Sequence, residues 1–240
     1  MKLFMPKQHG AWAMVIVPFW LGVIEAGFVW QHIPFFLGWV LLYLATYPML
    51  LLFKRKKMAF YTSWTIRYLI PAILLLLFPL AKNPSVIYFG LLIIPFFTIN
   101  AFFSSKNQDR AFMNDLSAIF AFSFASLASS FLSSRIVTAE SIFVFSTSAL
   151  FFIGSTFYVK TMIREKKNAQ FKWLSWIYHL LLPFIWLALG YWIAAIAVVP
   201  SLFRAIAFYG KPLSTKKVGI YEIINAALFF GIMAVQIIVK

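Results

Sequence analysis

The chain contains no cysteine, which excludes disulfide bonds, thiolate nucleophiles and cysteine metal sites. Acidic residues are scarce too, with 6 Asp and Glu against 21 Lys and Arg in 240 residues. Asp109 and Asp115 would point to different faces of a helix, so no carboxylate pair for acid–base catalysis is expected. The 3 histidines are scattered, so we predict no metal site of the zinc type.

Charged residues make up only 11% of the chain, whereas 63% of its residues are hydrophobic. A soluble domain of this size cannot bury so much apolar surface, so the chain must be solvated by lipid. Its net charge of +15 would suggest nucleic acid in a soluble protein, but the charges lie in short clusters between apolar stretches. We therefore predict membrane lipid as a partner and no nucleic acid.

Apolar segments long enough to cross a hydrocarbon core, about 20 residues each, recur along the chain. We predict nine transmembrane helices in a single all-α membrane domain over residues 1–240. They cover residues 10–30, 33–53, 65–81, 85–103, 112–134, 139–159, 173–189, 191–209 and 218–238. The block from Trp173 to Tyr209 is too long for one helix, and Gly190 offers a turn near its middle.

The positive charges support this count, because cytoplasmic loops of membrane proteins carry an excess of Lys and Arg. With nine helices and the N-terminus inside, only Lys82, Arg135 and Lys240 fall on the outer side. Eight helices would instead place the cluster from Lys211 to Lys217 outside. We predict a multi-pass protein of the bacterial cytoplasmic (inner) membrane with its N-terminus in and its C-terminus out.

The fifth predicted helix carries a ladder of small residues at four-residue spacing. Such residues let helix backbones approach closely in lipid, so we expect this helix to be central to the bundle, with close packing alone as the alternative role of its serines. The ladder consists of Ser117, Ala121, Ala125, Ser129 and Ser133. Prolines are also expected inside the helices, at positions 18, 48, 71, 79, 95, 183 and 200.

Ionisable and amide residues from distant segments fall at one depth in the predicted cytoplasmic half. Such residues are costly in lipid and usually face a cavity. The predicted ligand-binding set is His9, Arg67, Asn100, Asn114, Asp115, Lys160, Arg164, His179, Arg204 and Glu222. The set is basic, which favours a ligand with a phosphate or carboxylate group.

The members of this set have different alternative explanations. Arg204 lies about 10 Å inside the membrane, too deep for snorkelling alone, with Glu222 or Asp115 as candidate partners. Lys160 and Arg164 share a helix face, and both could instead belong to a snorkelling topology cluster. His179 could simply be hydrogen-bonded within the bundle.

Six segments resemble the YwiC-like family of bacterial membrane proteins. They are PKQHGAWAM at 6–14, DRAFMND at 109–115, YVKTMIRE at 158–165, SWIYH at 175–179, PSLFRA at 200–205 and KVGIYE at 217–222. The resemblance spans nearly the whole chain. It implies a polytopic inner-membrane protein from an uncharacterised family, and it supplies no established catalytic residues.

The chain is also similar in architecture to the UbiA-like intramembrane prenyltransferases, which have nine helices and a cytoplasm-facing cavity. That family holds magnesium and a prenyl diphosphate with two Asp-rich motifs. The corresponding loops here read KRKKMAFYTSW, which has no acid, and VKTMIREKKN, in which Glu165 is the sole carboxylate. The resemblance therefore implies a shared fold without magnesium-diphosphate chemistry of that type.

Three functions are compatible with these features. The first is binding of an anionic lipid or isoprenoid-like ligand, with a transferase reaction as one activity that this would allow. The second is transport of a small anion, and the third is a non-catalytic membrane assembly factor whose polar residues lock the bundle. The sequence identifies neither catalytic residues nor a cofactor.

Overall fold

The computed structural model describes residues 3–6, 9–55 and 57–239, apart from the side chain of His9. This part of the chain is all-helical. The helices are α1 (His9–Ala26), α2 (His32–Leu52), α3 (Met58–Lys82), α4 (Ile87–Ser105), α5 (Phe112–Ser134), α6 (Ala139–Ile163), α7 (Ala169–Ala188), α8 (Trp192–Ala207) and α9 (Thr215–Ile238). A short 3₁₀ turn, Pro84–Val86, precedes α4.

Seven of these helices, all except α1 and α8, are long and apolar enough to cross a membrane. The 16 residues of α8 extend about 24 Å at the rise of an α-helix, which is less than the usual hydrocarbon thickness of about 30 Å. The predicted break in the long apolar block is confirmed, since Gly190 separates α7 from α8 with φ +84°. The predicted topology is not fixed by the helices and stays a prediction.

Several helices differ in length from the apolar segments that predicted them. Helices α3, α6, α7 and α9 extend further toward the basic clusters, because apolarity marks the hydrocarbon depth whereas a helix continues into the polar interface. Helix α1 instead ends four residues early at Ala26, because Gly27 adopts a left-handed conformation with φ +88°. All seven predicted prolines do lie inside helices.

The chain forms two compact units. The first contains Met14–Phe145 and the described residues before His9, and the second contains His9–Ala13 and Ser146–Lys240. This division does not test the prediction of one membrane domain over residues 1–240, which stays a prediction.

In the first unit, α5 packs closely against α1, as its small residues predict. A Cβ added to Gly22 would lie 2.2 Å from the backbone oxygen of Ser126. The hydroxyl of Ser129 donates a hydrogen bond to the carbonyl oxygen of Phe19 at 2.8 Å. In the ladder, Ser117, Ala125 and Ser129 are buried, and the other two residues are half-buried.

In the second unit, α8 is antiparallel to both α7 and α9. A buried apolar cluster of Tyr158, Met162, Ala205 and Val218 joins α6, α8 and α9. Deeper in the unit, the rings of Phe151 and Phe229 stack with their centroids 4.0 Å apart. This packing places the middle of α6 against the facing sides of α8 and α9.

Candidate functional site

A buried ion pair joins α8 to α9. Nη1 of Arg204 donates to Oε1 of Glu222, and their side chains are only 5% and 9% exposed. Glu222 is one of the two partners predicted for Arg204. Such a pair is stable in a dry interior only when further hydrogen bonds support it.

Among the described residues, the ion pair is one of two polar side-chain contacts between α8 and α9. One turn away, Nδ2 of Asn225 donates to Oγ of Ser201 at 2.9 Å, and both residues are buried. Ser201 and Arg204 are three apart on α8, as are Glu222 and Asn225 on α9, so each pair of side chains shares a helix face. The two contacts fix the alignment of α8 against α9.

The guanidinium of Arg204 makes two further contacts with α6. Its Nη2 donates to Oγ of Ser155 at 3.1 Å, and its Cζ lies 4.3 Å from the ring centroid of Tyr158. Nε of Arg204 and the hydroxyl of Tyr158 are buried without a hydrogen-bond partner among the described residues. The desolvated guanidinium therefore has one unused donor of its own, and the Tyr158 hydroxyl beside it is a second.

His179 on α7 is buried against Gly154, the residue that precedes Ser155 on α6. Its Nδ1 is 2.7 Å from the carbonyl oxygen of Ser175, so Nδ1 carries the proton and donates to that oxygen. Gly154 on α6 leaves room for the ring, since a Cβ there would lie 3.2 Å from Nε2. We refer to Ser155, Tyr158, His179, Arg204 and Glu222 as the Arg204 cluster.

Two further predicted site residues of the second unit lie outside this cluster. Lys160 is buried, but it follows Ser155 by five residues and so lies about 140° around α6 from it. Arg164, just beyond the end of α6, is exposed. Its exposure agrees with the alternative in which it belongs to the positive topology cluster.

Four predicted site residues lie in the first unit. Nδ2 of Asn100 donates to the carbonyl oxygen of Asn114 at 3.2 Å and also to the hydroxyl of Ser117. Asp115 is half-buried in the first turn of α5, and Arg67 is exposed with its guanidinium over the ring of Trp64. The side chain of His9 lies outside the described part of the chain. A single pocket shared by all ten predicted residues therefore stays a prediction.

An ion pair that the sequence did not predict orders the loop before α5. Nζ of Lys54 lies 2.5 Å from Oδ2 of Asp109, and Nδ2 of Asn114 donates to the Asp109 carbonyl oxygen at 2.8 Å. Partial burial tends to raise the pKa of Asp109. The hydrogen bond from Lys54 and its positive charge outweigh burial and hold that pKa below its usual value.

We expect Asp109→Asn to remove part of the acid sensitivity of the fold. Because the folded-state pKa of Asp109 is lower than that of the unfolded chain, its stabilising effect is present above about pH 4 and is lost as the pH falls further. Asp109 is 40% exposed, so the effect is below about 1 kcal/mol. Unfolding in detergent between pH 3 and 7 measures it, and equal pH dependence in the wild type and the variant would contradict it.

Two polar side chains near the α1–α2 connection, Glu25 and His32, hydrogen-bond to neighbouring helices. His32 is fully buried: its Nδ1 accepts a hydrogen bond from the Val29 amide at 3.0 Å, and its Nε2 donates to the Ser129 carbonyl oxygen at 2.8 Å. Glu25 accepts hydrogen bonds from the hydroxyls of Ser130 and Thr138. Both side chains therefore tie α1 and α2 to α5 and the start of α6.

Sequence reasoning missed Ser155, Tyr158 and Ser201, which complete the polar contacts around Arg204. Ser201 stands three residues before Arg204 on the same helix face, and this spacing is a usable signal. Ser155 and Tyr158 have the same spacing on α6, but nothing in the sequence shows that their face meets α8. Among the described residues, no group of three or more His, Asp or Glu side chains could hold a metal ion.

Comparison with known proteins identifies the family of this chain but finds no similar solved structure. No solved structure matches the chain, so the similarity to UbiA-like prenyltransferases stays a prediction. A family described as YwiC-like protein matches residues 5–130. "Uncharacterized protein YwiC" of Bacillus subtilis is 43% identical over 237 residues, which cover 99% of each chain. A Haemophilus influenzae protein, "Uncharacterized protein", is 40% identical over 235 residues, which cover 98% of this chain and 99% of its own. With its seven long apolar helices, the chain is a multi-pass membrane protein that belongs to the YwiC-like family.

Proposed function

We propose that the protein binds an anionic lipid or isoprenoid-like ligand through a phosphate or carboxylate group at the Arg204 cluster. It does so in the bacterial cytoplasmic membrane, with the N-terminus inside and the cluster in the cytoplasmic half. Two buried donors carry the proposal: Nε of Arg204 and the Tyr158 hydroxyl have no hydrogen-bond partner in the described part of the chain, and the guanidinium lies over the Tyr158 ring.

Unpartnered buried donors are costly. Each one forfeits about 1–3 kcal/mol relative to a satisfied group, and folded proteins contain few of them. An anionic oxygen between Arg204 and Tyr158 would accept from both groups and form charge-assisted hydrogen bonds. Without a ligand, the cost of burying these two donors would not be offset by any hydrogen bond.

The charge of the cluster narrows the ligand class. Glu222 already neutralises Arg204, so the bound ligand adds its own charge to a neutral buried pair. A dianion would be desolvated at much greater cost than a monoanion. A phosphodiester or a carboxylate therefore suits the cluster better than a doubly ionised phosphate, and both groups occur on membrane lipids.

Tyr158→Phe tests the proposal with the smallest chemical change. The Tyr158 hydroxyl makes no hydrogen bond among the described residues, so its removal should leave stability unchanged or slightly higher. If it binds the ligand anion, the variant loses a hydrogen bond of about 1.5–3 kcal/mol, or about tenfold or more in ligand retention. Mass spectrometry of lipids that copurify from native membranes measures this loss.

Tyr178→Phe is the matched control, because the hydroxyl of Tyr178 donates to the carbonyl oxygen of Leu150 at 2.7 Å. It should lower stability by about 1 kcal/mol and leave ligand retention unchanged. Equal lipid profiles for the wild type and Tyr158→Phe would refute the proposal, as would a wild type that copurifies no anionic lipid above its membrane abundance.

Arg204 and Glu222 already pair with each other, which favours a second candidate function. In this alternative the protein is a non-catalytic assembly factor, and the two residues only hold α8 against α9. In that case removal of an unused hydroxyl has no effect on bound molecules. The structural role therefore predicts that Tyr158→Phe keeps the wild-type lipid profile, whereas ligand binding predicts a selective loss of lipid.

A further inference from the structure

Three aromatic rings surround the ammonium group of Lys172, near the start of α7. Nζ of Lys172 lies 4.8 Å from the ring centroid of Trp173, 4.6 Å from that of Trp176 and 5.3 Å from that of Tyr209. All three distances are within the range of cation–π attraction. We call these four residues the Lys172 box.

The box is preorganised by contacts between the start of α7 and the end of α8. Nε1 of Trp176 donates to the carbonyl oxygen of Ala205 at 3.1 Å, and the ring of Tyr209 lies edge-on to that of Trp176 with centroids 5.7 Å apart. Trp173 is also edge-on to Trp176, at 5.4 Å. The position of the ammonium group is therefore set by rings that are themselves fixed.

The ammonium group of Lys172 still has unused donors. Cation–π attraction acts on its charge, whereas its three N–H groups need hydrogen-bond acceptors. Lys172 has no carboxylate partner among the described residues. Glu165, the nearest acid in the sequence, instead accepts a hydrogen bond from Asn168 at 2.9 Å. The donors are thus left for a group outside the protein.

The surroundings of the box specify the kind of partner. Lys166, Lys167 and Lys211 are exposed at the same helix ends, where α6 and α8 finish and α7 begins. Trp and Tyr side chains typically mark the headgroup level of a membrane, and clustered lysines there attract anionic lipid. We propose that the Lys172 box binds the phosphate of an anionic phospholipid headgroup, with Lys172 as the donor and the rings as walls.

In the Lys172 box the aromatic rings contribute to lipid binding, whereas diffuse attraction between lysines and the membrane depends on charge alone. The rings flank the ammonium group and Lys172 is half-buried, so its attraction to a phosphate is screened less than that of a freely exposed lysine. Removing a ring should then weaken lipid binding although the charge of the protein is unchanged. The inference does not depend on a ligand at the Arg204 cluster.

The test places the full chain in nanodiscs of phosphatidylcholine with a minor share of phosphatidylglycerol. Native mass spectrometry measures the ratio of the two lipids that stay bound. We expect the wild type to be enriched in phosphatidylglycerol, and Lys172→Ala and Trp173→Leu each to lower that enrichment about fivefold, equivalent to about 1 kcal/mol. Trp173 is 55% exposed, so leucine is tolerated there. Tyr209→Leu removes a second wall and should act in the same direction.

Lys216→Ala is the matched control, because it removes one exposed positive charge on α9 away from the rings. It should lower the enrichment less than about twofold. An equal effect of Lys216→Ala and Lys172→Ala, or wild-type enrichment in Trp173→Leu, would overturn the box in favour of diffuse attraction. If the wild type binds inorganic phosphate but shows no enrichment in phosphatidylglycerol, the box binds free phosphate and the assignment to a lipid is wrong.

Discussion

Glu222→Ala is expected to lower the free energy of unfolding by about 3–5 kcal/mol, because it leaves the guanidinium of Arg204 buried without a counter-charge. Arg204→Ala should have a similar effect, since it strands the Glu222 carboxylate and also removes the contacts with Ser155 and Tyr158. Equilibrium unfolding of purified protein in detergent, followed by far-UV circular dichroism, measures both changes.

The double variant Arg204→Met, Glu222→Leu distinguishes a buried pair from ordinary loss of packing. Replacing both charges by apolar side chains of similar volume removes the desolvation cost along with the attraction. We therefore expect the double variant to recover most of the stability that either alanine variant loses. Single variants within about 1 kcal/mol of the wild type, or a double variant less stable than either single one, would show that the pair is not a dry ion pair.

The double variant also separates stability from function. It keeps α8 and α9 together but removes the cation that the proposed ligand needs. A stable double variant that no longer retains anionic lipid would agree with a binding role for Arg204. A stable double variant with the wild-type lipid profile would leave only the structural role.

A buried acidic partner for Arg204 follows from the sequence, because ionisable residues deep in an apolar segment are costly and seek partners, although Glu222 and Asp115 were both candidates. The remainder of the cluster does not. Ser155 and Tyr158 are ordinary residues for a membrane helix, and their contact with Arg204 arises from the packing of α6 against α8 and α9. His32 was missed for the same reason, since its hydrogen bond to Ser129 spans 97 residues of sequence.

The helix ends were predictable to within four residues, except that α3 begins seven residues earlier than predicted, because apolarity and length are imposed by the bilayer. The small-residue ladder on α5 was a less complete guide. A four-residue step turns a helix by about 400°, so the ladder drifts about 40° at each step. The buried face of α5 consequently also includes Ser123, Ser126 and Ser130, and the sequence alone does not show which helix meets it.

Gly22→Ala is expected to be among the most damaging single-methyl changes in the first unit. The added Cβ would lie 2.2 Å from the backbone oxygen of Ser126 and 2.4 Å from Oγ of Ser129. Neither helix backbone can yield locally, so α1 and α5 must separate and the hydrogen bond from Ser129 to Phe19 is lost. We expect a loss of about 3 kcal/mol, the upper end for overpacking, measured by unfolding in detergent.

Two further variants identify the cause of this loss. Gly90→Ala on α4 adds the same methyl group where nothing lies within 4 Å, so it should be neutral or stabilising by up to about 1 kcal/mol. Adding Ser129→Gly to Gly22→Ala removes the hydroxyl but not the Ser126 oxygen, which is the closer obstacle. The second substitution should therefore fail to restore stability. Full recovery would mean that the Ser129 side chain, and not the backbone contact between the helices, limits how closely α1 and α5 can pack.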